Sequence, residues 1–173
     1  EETVEVMTFE RITDTYDMNF QVYTPSVMSY PITLEVSKVR IVCLGDSLTS
    51  GHPFYWAETG TGDITASYPY QLSRRLKNQY EVINSGYGSD TTDRCLARFD
   101  RDVLRYFPQY CIFQCGTNDL YWAMAESLNN QEALDMKMQV VRENTMEVVK
   151  RCWDNGIMPI LGTLIPRTGA TGI

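Results

Sequence analysis

A repeating order of strand, glycine-bearing turn and helix begins at residue 38 and constrains the fold more than any other feature. The run VRIVCL at 39–44 is continuously apolar, as expected for a strand that is buried on both faces of a parallel sheet. The same reasoning predicts strands at 80–84, 110–114 and 158–166. Because helical segments separate these strands, the sequence predicts an α/β fold with a parallel sheet covered by helices on both faces.

Three segments between the strands have helical character. The sequence predicts a short helix over 68–79, one or two helical pieces over 93–107, and the longest helix over 130–155. Apolar positions in the longest helix step by four and three residues, which predicts one stripe that packs onto the sheet. The stripe consists of Leu134, Met138, Val141, Thr145, Val148 and Cys152.

Residues 1–37 differ from the rest of the chain. They alternate apolar and polar side chains, are rich in β-branched and aromatic residues, and are interrupted by Pro25 and Pro31, which predicts strands rather than helix. They form either the end of a preceding β module or a β-rich extension of the next domain. We therefore divide the chain into a β-rich segment, 1–37, and an α/β domain, 38–173.

The charge of the chain excludes several classes of partner. Twenty-two acidic residues against fifteen Lys and Arg give a formal net charge of −7, which offers no footing for nucleic acid and repels anionic membranes. No stretch approaches the run of about 20 apolar residues that a membrane span needs. A neutral small molecule or carbohydrate is therefore the expected substrate.

The five cysteines are expected to be buried free thiols, because most of them lie in or beside apolar strand-like runs. The spacing of Cys111 and Cys115 fits no common zinc motif, and the single histidine cannot complete a His-rich site, so no metal or cofactor is predicted. The β-rich start favours a secreted or cell-surface location over the cytoplasm, whereas the odd number of cysteines argues in the other direction.

Polar turns follow three of the predicted strands, at 45–51, 85–92 and 116–119. Ligands of parallel α/β sheets bind outside the carboxyl ends of the strands, so these turns are expected to converge. Taken alone, each turn has an ordinary explanation; Ser47, for example, could simply cap a helix. Together they can form an oxyanion hole from the N–H of Ser47, the N–H of Gly88 or Ser89, and the side-chain amide of Asn118.

The stretches GDSLTSG, INSGYGSDTT and CGTND, in this order and each after a strand, resemble the SGNH hydrolases, also called GDSL esterases and lipases. The resemblance covers residues 38–166 and implies a flavodoxin-like three-layer α/β/α fold that hydrolyses esters with a Ser-His-Asp triad and no cofactor. It implies that Ser47 is the nucleophile and an oxyanion donor, that Asn118 is the side-chain donor, and that Asp46 and Asp119 orient the turns.

The chain departs from the family pattern in two places. Ser89 stands where the family usually has a glycine, directly before D-T-T. The D-x-x-H motif that carries the family's catalytic Asp and His is absent, as are a fifth strand and a closing helix, so we expect these beyond residue 173. His52, five residues after Ser47, lies on a different helix face and is expected at the rim of the cleft rather than as the base.

The segment 51–72 combines aromatic and small polar residues, which suits a sugar or a short acyl group. The candidate substrate contacts are Thr49, His52, Tyr55 and Trp56. Alternatively, the aromatic residues cover the core beneath a long loop.

The sequence therefore predicts a serine esterase, with an acetyl ester on a carbohydrate as the first candidate substrate and lysophospholipid or thioester as others. A non-catalytic carbohydrate-binding or scaffold domain that has lost its base is the alternative. A phosphate or nucleotide binder is disfavoured, because the chain contains no P-loop or G-x-G-x-x-G motif.

Overall fold

The computed structural model describes residues 38–127 and 130–164. The predicted β structure of residues 1–37 lies outside this range, and the division of the chain into two domains stays a prediction. The described part forms an α/β sheet domain.

The elements alternate between strand and helix along the chain. The first half contains β1 (Val39–Gly45), α1 (Ser47–Ser50), β2 (Tyr55–Trp56), β3 (Thr61–Gly62), α2 (Tyr68–Leu76) and β4 (Tyr80–Gly86). The second half contains α3 (Thr92–Ala97), α4 (Phe99–Asp102), β5 (Tyr110–Gln114), α5 (Thr117–Ser127), α6 (Gln131–Asp154) and β6 (Met158–Leu161). Short 3₁₀ turns occupy Ile64–Ala66, Lys77–Gln79 and Leu104–Tyr106.

Within the described residues, the main sheet has four parallel strands in the order β4-β1-β5-β6. This is the flavodoxin-like order, with the first strand between the second and the third, and it confirms the predicted fold class. Gly45 at the end of β1 pairs with Gly86 of β4 and with Gln114 of β5. The three strands therefore end in register, which brings the three polar turns to one edge of the sheet.

The core lies between the sheet and helices α3, α4 and α6. Alternate residues of β1 and β5 point into it and meet apolar side chains from these helices. Its members include Val42, Leu44, Cys111, Phe113, Phe99, Val103, Val148 and Cys152. Helices α1 and α2 contact β4, which is the edge strand of the sheet, and α5 packs on α6.

All five cysteines are buried and free, as predicted. Burial raises the pKa of the Cys43 thiol to about 12. Because the thiolate is the reactive form of cysteine, this neighbour of the first turn is chemically inert at neutral pH.

The structure differs from the prediction in the helices. The segment 93–107, predicted as one or two helical pieces, forms three, because breaks at Arg98 and Val103 divide it into α3, α4 and a 3₁₀ turn. The apolar stripe of α6 is buried only along its C-terminal half, where Val148 and Cys152 are inaccessible, whereas Met138 is 52% exposed. A helix of 24 residues is about 36 Å long and extends well past the four-residue strand β6. Helix α5 and the β2–β3 hairpin were not predicted.

Two glycines allow α1 to lie directly against the end of the sheet. A Cβ atom at Gly86 would lie 2.1 Å from the backbone nitrogen of Ser50, and one at Gly45 would lie 2.1 Å from Oγ1 of Thr49. No side chain fits in either position without separating the helix from the strands. The paired glycines therefore set the position of the first polar turn.

Replacing Gly86 with alanine is expected to lower the free energy of unfolding by about 3 kcal/mol, because the added methyl group meets backbone that cannot move aside cheaply. Urea unfolding followed by tryptophan fluorescence measures this loss. The control is Glu81→Ala, in the same strand, which removes only an exposed ion pair with Arg40 and is expected to cost less than about 1 kcal/mol. Equal losses in the two variants would contradict the close contact between α1 and the sheet.

Candidate active site

Ser47 is the first residue of α1, and its hydroxyl is not used to cap the helix. The preceding residue, Asp46, is the N-cap, and its carboxylate accepts a hydrogen bond from the N–H of Leu48 at 2.9 Å. Asp46 is buried, Ser47 is half-buried, and the Ser47 hydroxyl has no hydrogen-bond partner among the described residues. The structural role that the sequence allowed for Ser47 therefore belongs to Asp46, and the serine hydroxyl is available to a ligand.

The second turn places Ser89 in the left-handed backbone region, at φ 62°. The turn closes with a hydrogen bond from the N–H of Asp90 to the carbonyl of Tyr87, at 3.3 Å. Glycine adopts this conformation more easily than other residues, which explains why the motif of the SGNH hydrolases usually has glycine directly before D-T-T. In this chain Ser89 adopts the same conformation. The N–H of Gly88 donates to Oε1 of Glu58 at 3.2 Å, whereas the N–H of Ser89 has no partner among the described residues.

The third turn places Asn118 at the start of α5, half-buried beside the second turn. Its side-chain nitrogen donates to the carbonyl of Asp90 at 2.8 Å. A side-chain amide has two N–H groups, so one remains for a ligand. The bond to Asp90 holds the Asn118 side chain against the second turn.

Asp119 is fully buried and joins the third turn to the start of α3. Its carboxylate accepts hydrogen bonds from the backbone N–H of Thr92 at 3.0 Å and from the Thr92 hydroxyl at 2.8 Å. The hydroxyl in turn accepts from the side chain of Asn144 in α6, at 2.9 Å. The carboxylates of Asp46 and Asp119 thus both accept hydrogen bonds from backbone N–H groups at the turns. This agrees with the role that the resemblance implies for them, which is to orient the turns.

Arg98 connects the first turn to the second. Its guanidinium donates to the carboxylate of Asp90 at 2.6 Å, to that of Asp102 at 2.9 Å and to the carbonyl of Gly45 at 2.9 Å. Burial acts to raise the pKa of Asp102, but the hydrogen bonds from Arg101 and Arg98 outweigh it and hold the pKa below the usual range. The three turns are therefore joined by one continuous set of charged and polar contacts.

His52, the only histidine of the chain, interacts with Glu58. Its Nε2 lies 3.0 Å from Oε1 of Glu58, and its ring lies 5.0 Å from that of Trp56. Burial acts to raise the pKa of Glu58, but hydrogen bonds from its own backbone, Ser50, Gly88 and His52 outweigh it and hold the pKa below the usual value. No hydrogen bond joins the side chains of His52 and Ser47 in the part of the chain that the structure describes.

The other predicted substrate contacts lie in different surroundings. Thr49 is fully buried and its side chain fills the space above Gly45, and its contact with substrate stays a prediction. Tyr55 lines a cavity of about 330 Å³ between the β2–β3 hairpin, α2 and β4. Trp56 is 38% exposed and Phe54 66% exposed, so neither ring is buried in the core.

Sequence reasoning missed four residues that organise the site. Asp90 and Thr92 lie within the quoted D-T-T stretch, but the contacts they make could not be read from it. Arg98 and Glu58 belong to no motif, and each binds one group far away along the chain: Arg98 the carbonyl of Gly45, 53 residues away, and Glu58 the N–H of Gly88, 30 residues away. A motif search finds short local patterns, whereas these contacts depend on the packing of α3 and the hairpin against the strand ends.

Among residues 38–127 and 130–164, no group of three or more His, Cys, Asp or Glu side chains is arranged to hold a metal ion. The helices in the same range are too short or too polar to cross a membrane.

A family model describing GDSL-like lipases and acylhydrolases matches residues 43–171, which include all three turns. The chain belongs to this family. The sequence resemblance is therefore confirmed, and the matched range includes Ser47, Ser89 and Asn118.

Two relatives are each 28% identical to the chain over the residues that align. An uncharacterized lipoprotein, YqeF, of Bacillus subtilis (strain 168) is 28% identical over 126 residues, which is 73% of this chain and 48% of the relative. A protein assigned to the G-D-S-L lipolytic family from Desulfitobacterium hafniense DCB-2 is 28% identical, with a TM-score of 0.57 and coverage of 76% of this chain and 63% of that one.

An acetylxylan esterase, Axe2, from Geobacillus stearothermophilus was solved as a catalytic mutant. It is 18% identical with a TM-score of 0.53, and the match covers 74% of this chain and 61% of that one, a likeness in fold. The chain thus spans about half the length of the curated relative and less than two thirds of each of these solved structures.

Replacing Arg98 with methionine is expected to lower the free energy of unfolding by about 3–5 kcal/mol, because it leaves the buried carboxylate of Asp90 without its partner. Urea unfolding measures the loss. The matched control is Lys150→Met, which breaks an exposed ion pair with Asp154 and is expected to cost less than about 1 kcal/mol. Similar losses would show that Arg98 does not hold the turns together.

Proposed function

We propose that the chain supplies the nucleophile and the oxyanion hole of a serine esterase. The observation that carries this proposal is the free hydroxyl of Ser47, because Asp46 rather than Ser47 caps α1. The contacts of Arg98 and Asn118 join the turn of Ser47 to the two other turns, which carry N–H groups without a partner among the described residues. Membership of the GDSL-like lipase and acylhydrolase family supports the same chemistry.

The reaction proceeds by acyl transfer. The hydroxyl oxygen of Ser47 attacks the carbonyl carbon of the ester while a histidine base takes its proton. The carbonyl oxygen becomes an oxyanion, the alcohol leaves with the proton returned by the base, and water releases the acyl group in a second round. A serine without a base is a poor nucleophile, so the base is essential to this proposal.

The three proposed oxyanion donors are the N–H of Ser47, the N–H of Ser89 and the amide of Asn118. Of the two candidates in the second turn, Ser89 is preferred, because the N–H of Gly88 already donates to Glu58. Asn118 keeps one N–H free while the other holds it against Asp90. Donors that are fixed before the charge develops need no reorganisation during the reaction, which is the source of their effect.

His52 is not the proposed base, because its Nε2 is engaged by Glu58. The proposal therefore includes an Asp and a His from a D-x-x-H motif in sequence that follows residue 173. Reading the gene beyond that codon tests this part directly.

The first candidate substrate is an acetyl ester on a carbohydrate. The exposed rings of Phe54 and Trp56 follow the nucleophile turn, and aromatic rings of this kind suit sugar faces. Acetylated xylan belongs among the test substrates because an acetylxylan esterase has the same fold.

Since one relative is a lipoprotein, we also propose a location outside the cytoplasm.

In the full gene product, a fluorophosphonate probe is expected to label Ser47, and Ser47→Ala is expected to abolish both labelling and hydrolysis of p-nitrophenyl acetate, because the attacking oxygen is lost. Mass spectrometry locates the label. Ser73→Ala, which changes a serine on α2 whose hydroxyl donates to the carbonyl of Tyr70, is the control and keeps both.

Wild-type protein that is neither labelled nor active would contradict the esterase proposal. It would favour the alternative, a non-catalytic carbohydrate-binding domain with the same fold, and binding of xylan fragments without turnover would then support that alternative.

Asn118→Ala is expected to lower kcat for p-nitrophenyl acetate by about 10²–10³-fold, because it removes one donor to the developing oxyanion. KM is expected to change little, since the interaction strengthens only in the transition state. Asn155→Ala, which removes an exposed amide at the end of α6, is the control. An unchanged kcat in Asn118→Ala would remove Asn118 from the proposed oxyanion hole.

A further inference from the structure

Glu58 lies in the turn of the β2–β3 hairpin and reaches groups on two other segments. Its Oε2 accepts a hydrogen bond from the Ser50 hydroxyl at 2.8 Å. Its Oε1 lies 3.0 Å from Nε2 of His52 and accepts from the N–H of Gly88 at 3.2 Å. Ser50 ends α1 and His52 follows it, whereas Gly88 belongs to the second turn. One carboxylate thus joins the segment of the nucleophile to the turn of a proposed oxyanion donor.

The contacts of this carboxylate are directional and shielded from solvent. The Ser50 hydroxyl accepts from the N–H of Ala57 at 2.8 Å, so its own hydrogen is free to point to Glu58. The side chain of Glu58 is 12% exposed and that of His52 is 24% exposed. Hydrogen bonds to a charged acceptor are stronger than neutral ones, and shielding strengthens them further.

The second turn fits closely against this pair. A Cβ atom at Gly88 would lie 2.7 Å from Cε1 of His52 and 3.0 Å from Oε1 of Glu58. The absence of a side chain at this position lets the backbone approach the pair, and the hydrogen bond to Glu58 sets the orientation of the peptide unit between Tyr87 and Gly88. The next N–H along the chain is that of Ser89.

We infer that Glu58 is a positioning residue: together with His52 it holds Gly88 so that the N–H of Ser89 is kept in place for the oxyanion. The inference rests on the proposed function. An oxyanion donor must lie about 2.7–3.1 Å from the developing charge. A displacement of about 1 Å at such a site can cost about a hundredfold in rate. Glu58 itself needs no contact with substrate.

The kinetic test compares Glu58→Ala, Glu58→Gln and Glu81→Ala in the full gene product, with p-nitrophenyl acetate as substrate. Glu58→Ala is expected to lower kcat by about ten- to a hundredfold with KM unchanged, because the donor is misplaced while substrate binding is not. Glu58→Gln retains a carbonyl oxygen that can accept from Gly88 and is expected to restore part of the rate. Glu81 lies in an exposed ion pair on β4, so Glu81→Ala is expected to keep the wild-type kcat.

Amide hydrogen exchange by NMR gives a readout that needs no catalysis. The N–H of Gly88 is expected to exchange faster in Glu58→Ala than in the wild type and in Glu81→Ala, because its acceptor is gone. A cooperative thermal transition well above the temperature of the assay shows that each variant is folded. An unchanged kcat in an active, folded Glu58→Ala protein, or unchanged exchange at Gly88, overturns the inference.

The two proposals fail in different ways. If the wild-type protein shows no hydrolysis that depends on Ser47, the esterase proposal fails. The exchange of Gly88 still decides whether Glu58 holds the turn: faster exchange in Glu58→Ala supports this, and unchanged exchange overturns it.

Discussion

The buried guanidinium of Arg98 is the contact on which the arrangement of the site depends. It binds the last carbonyl of β1 and two carboxylates, one of which belongs to the turn after β4. The backbone carbonyl of that same residue, Asp90, accepts from Asn118 on the third turn. Five donors in a fixed planar fork allow one arginine to satisfy groups from several segments, which a lysine cannot do. The network therefore links the turns at three adjacent strand ends by hydrogen bonds and ion pairs.

The arrangement of the turns at this edge has a cost in backbone conformation. Ser89 is held in the left-handed region, where a residue with a Cβ is strained by about 1–2 kcal/mol relative to glycine. Asn118 and Arg98 donate hydrogen bonds to Asp90, and Glu58 accepts one from the N–H of Gly88; together these hold the turn in this geometry. A strained backbone conformation that is held by contacts with neighbouring residues is common at ligand-binding sites.

The sheet and its turns could be predicted well because their signals are local. Apolar runs predicted the four strands, and the resemblance implied the flavodoxin-like fold whose strand order the structure has. The long helix α6 was found from its period, but the exposure of Met138 was not, because periodicity does not show how far a neighbouring sheet extends. The sequence allowed two helical pieces over 93–107 but did not locate the break at Arg98, because a group that Arg98 binds, the carbonyl of Gly45, lies far away along the chain.

The sequence by itself determined the fold class, the family and the three motifs that carry Ser47, Ser89 and Asn118, because each of these depends on short stretches of neighbouring residues. Only the tertiary structure decided how the polar groups are paired. It showed that Asp46 rather than Ser47 caps α1, that Glu58 holds both His52 and Gly88, and that Thr49 is buried. The physical reason is that hydrogen-bond partners across turns are chosen by the packing of elements far apart in the chain, and no local pattern encodes that choice.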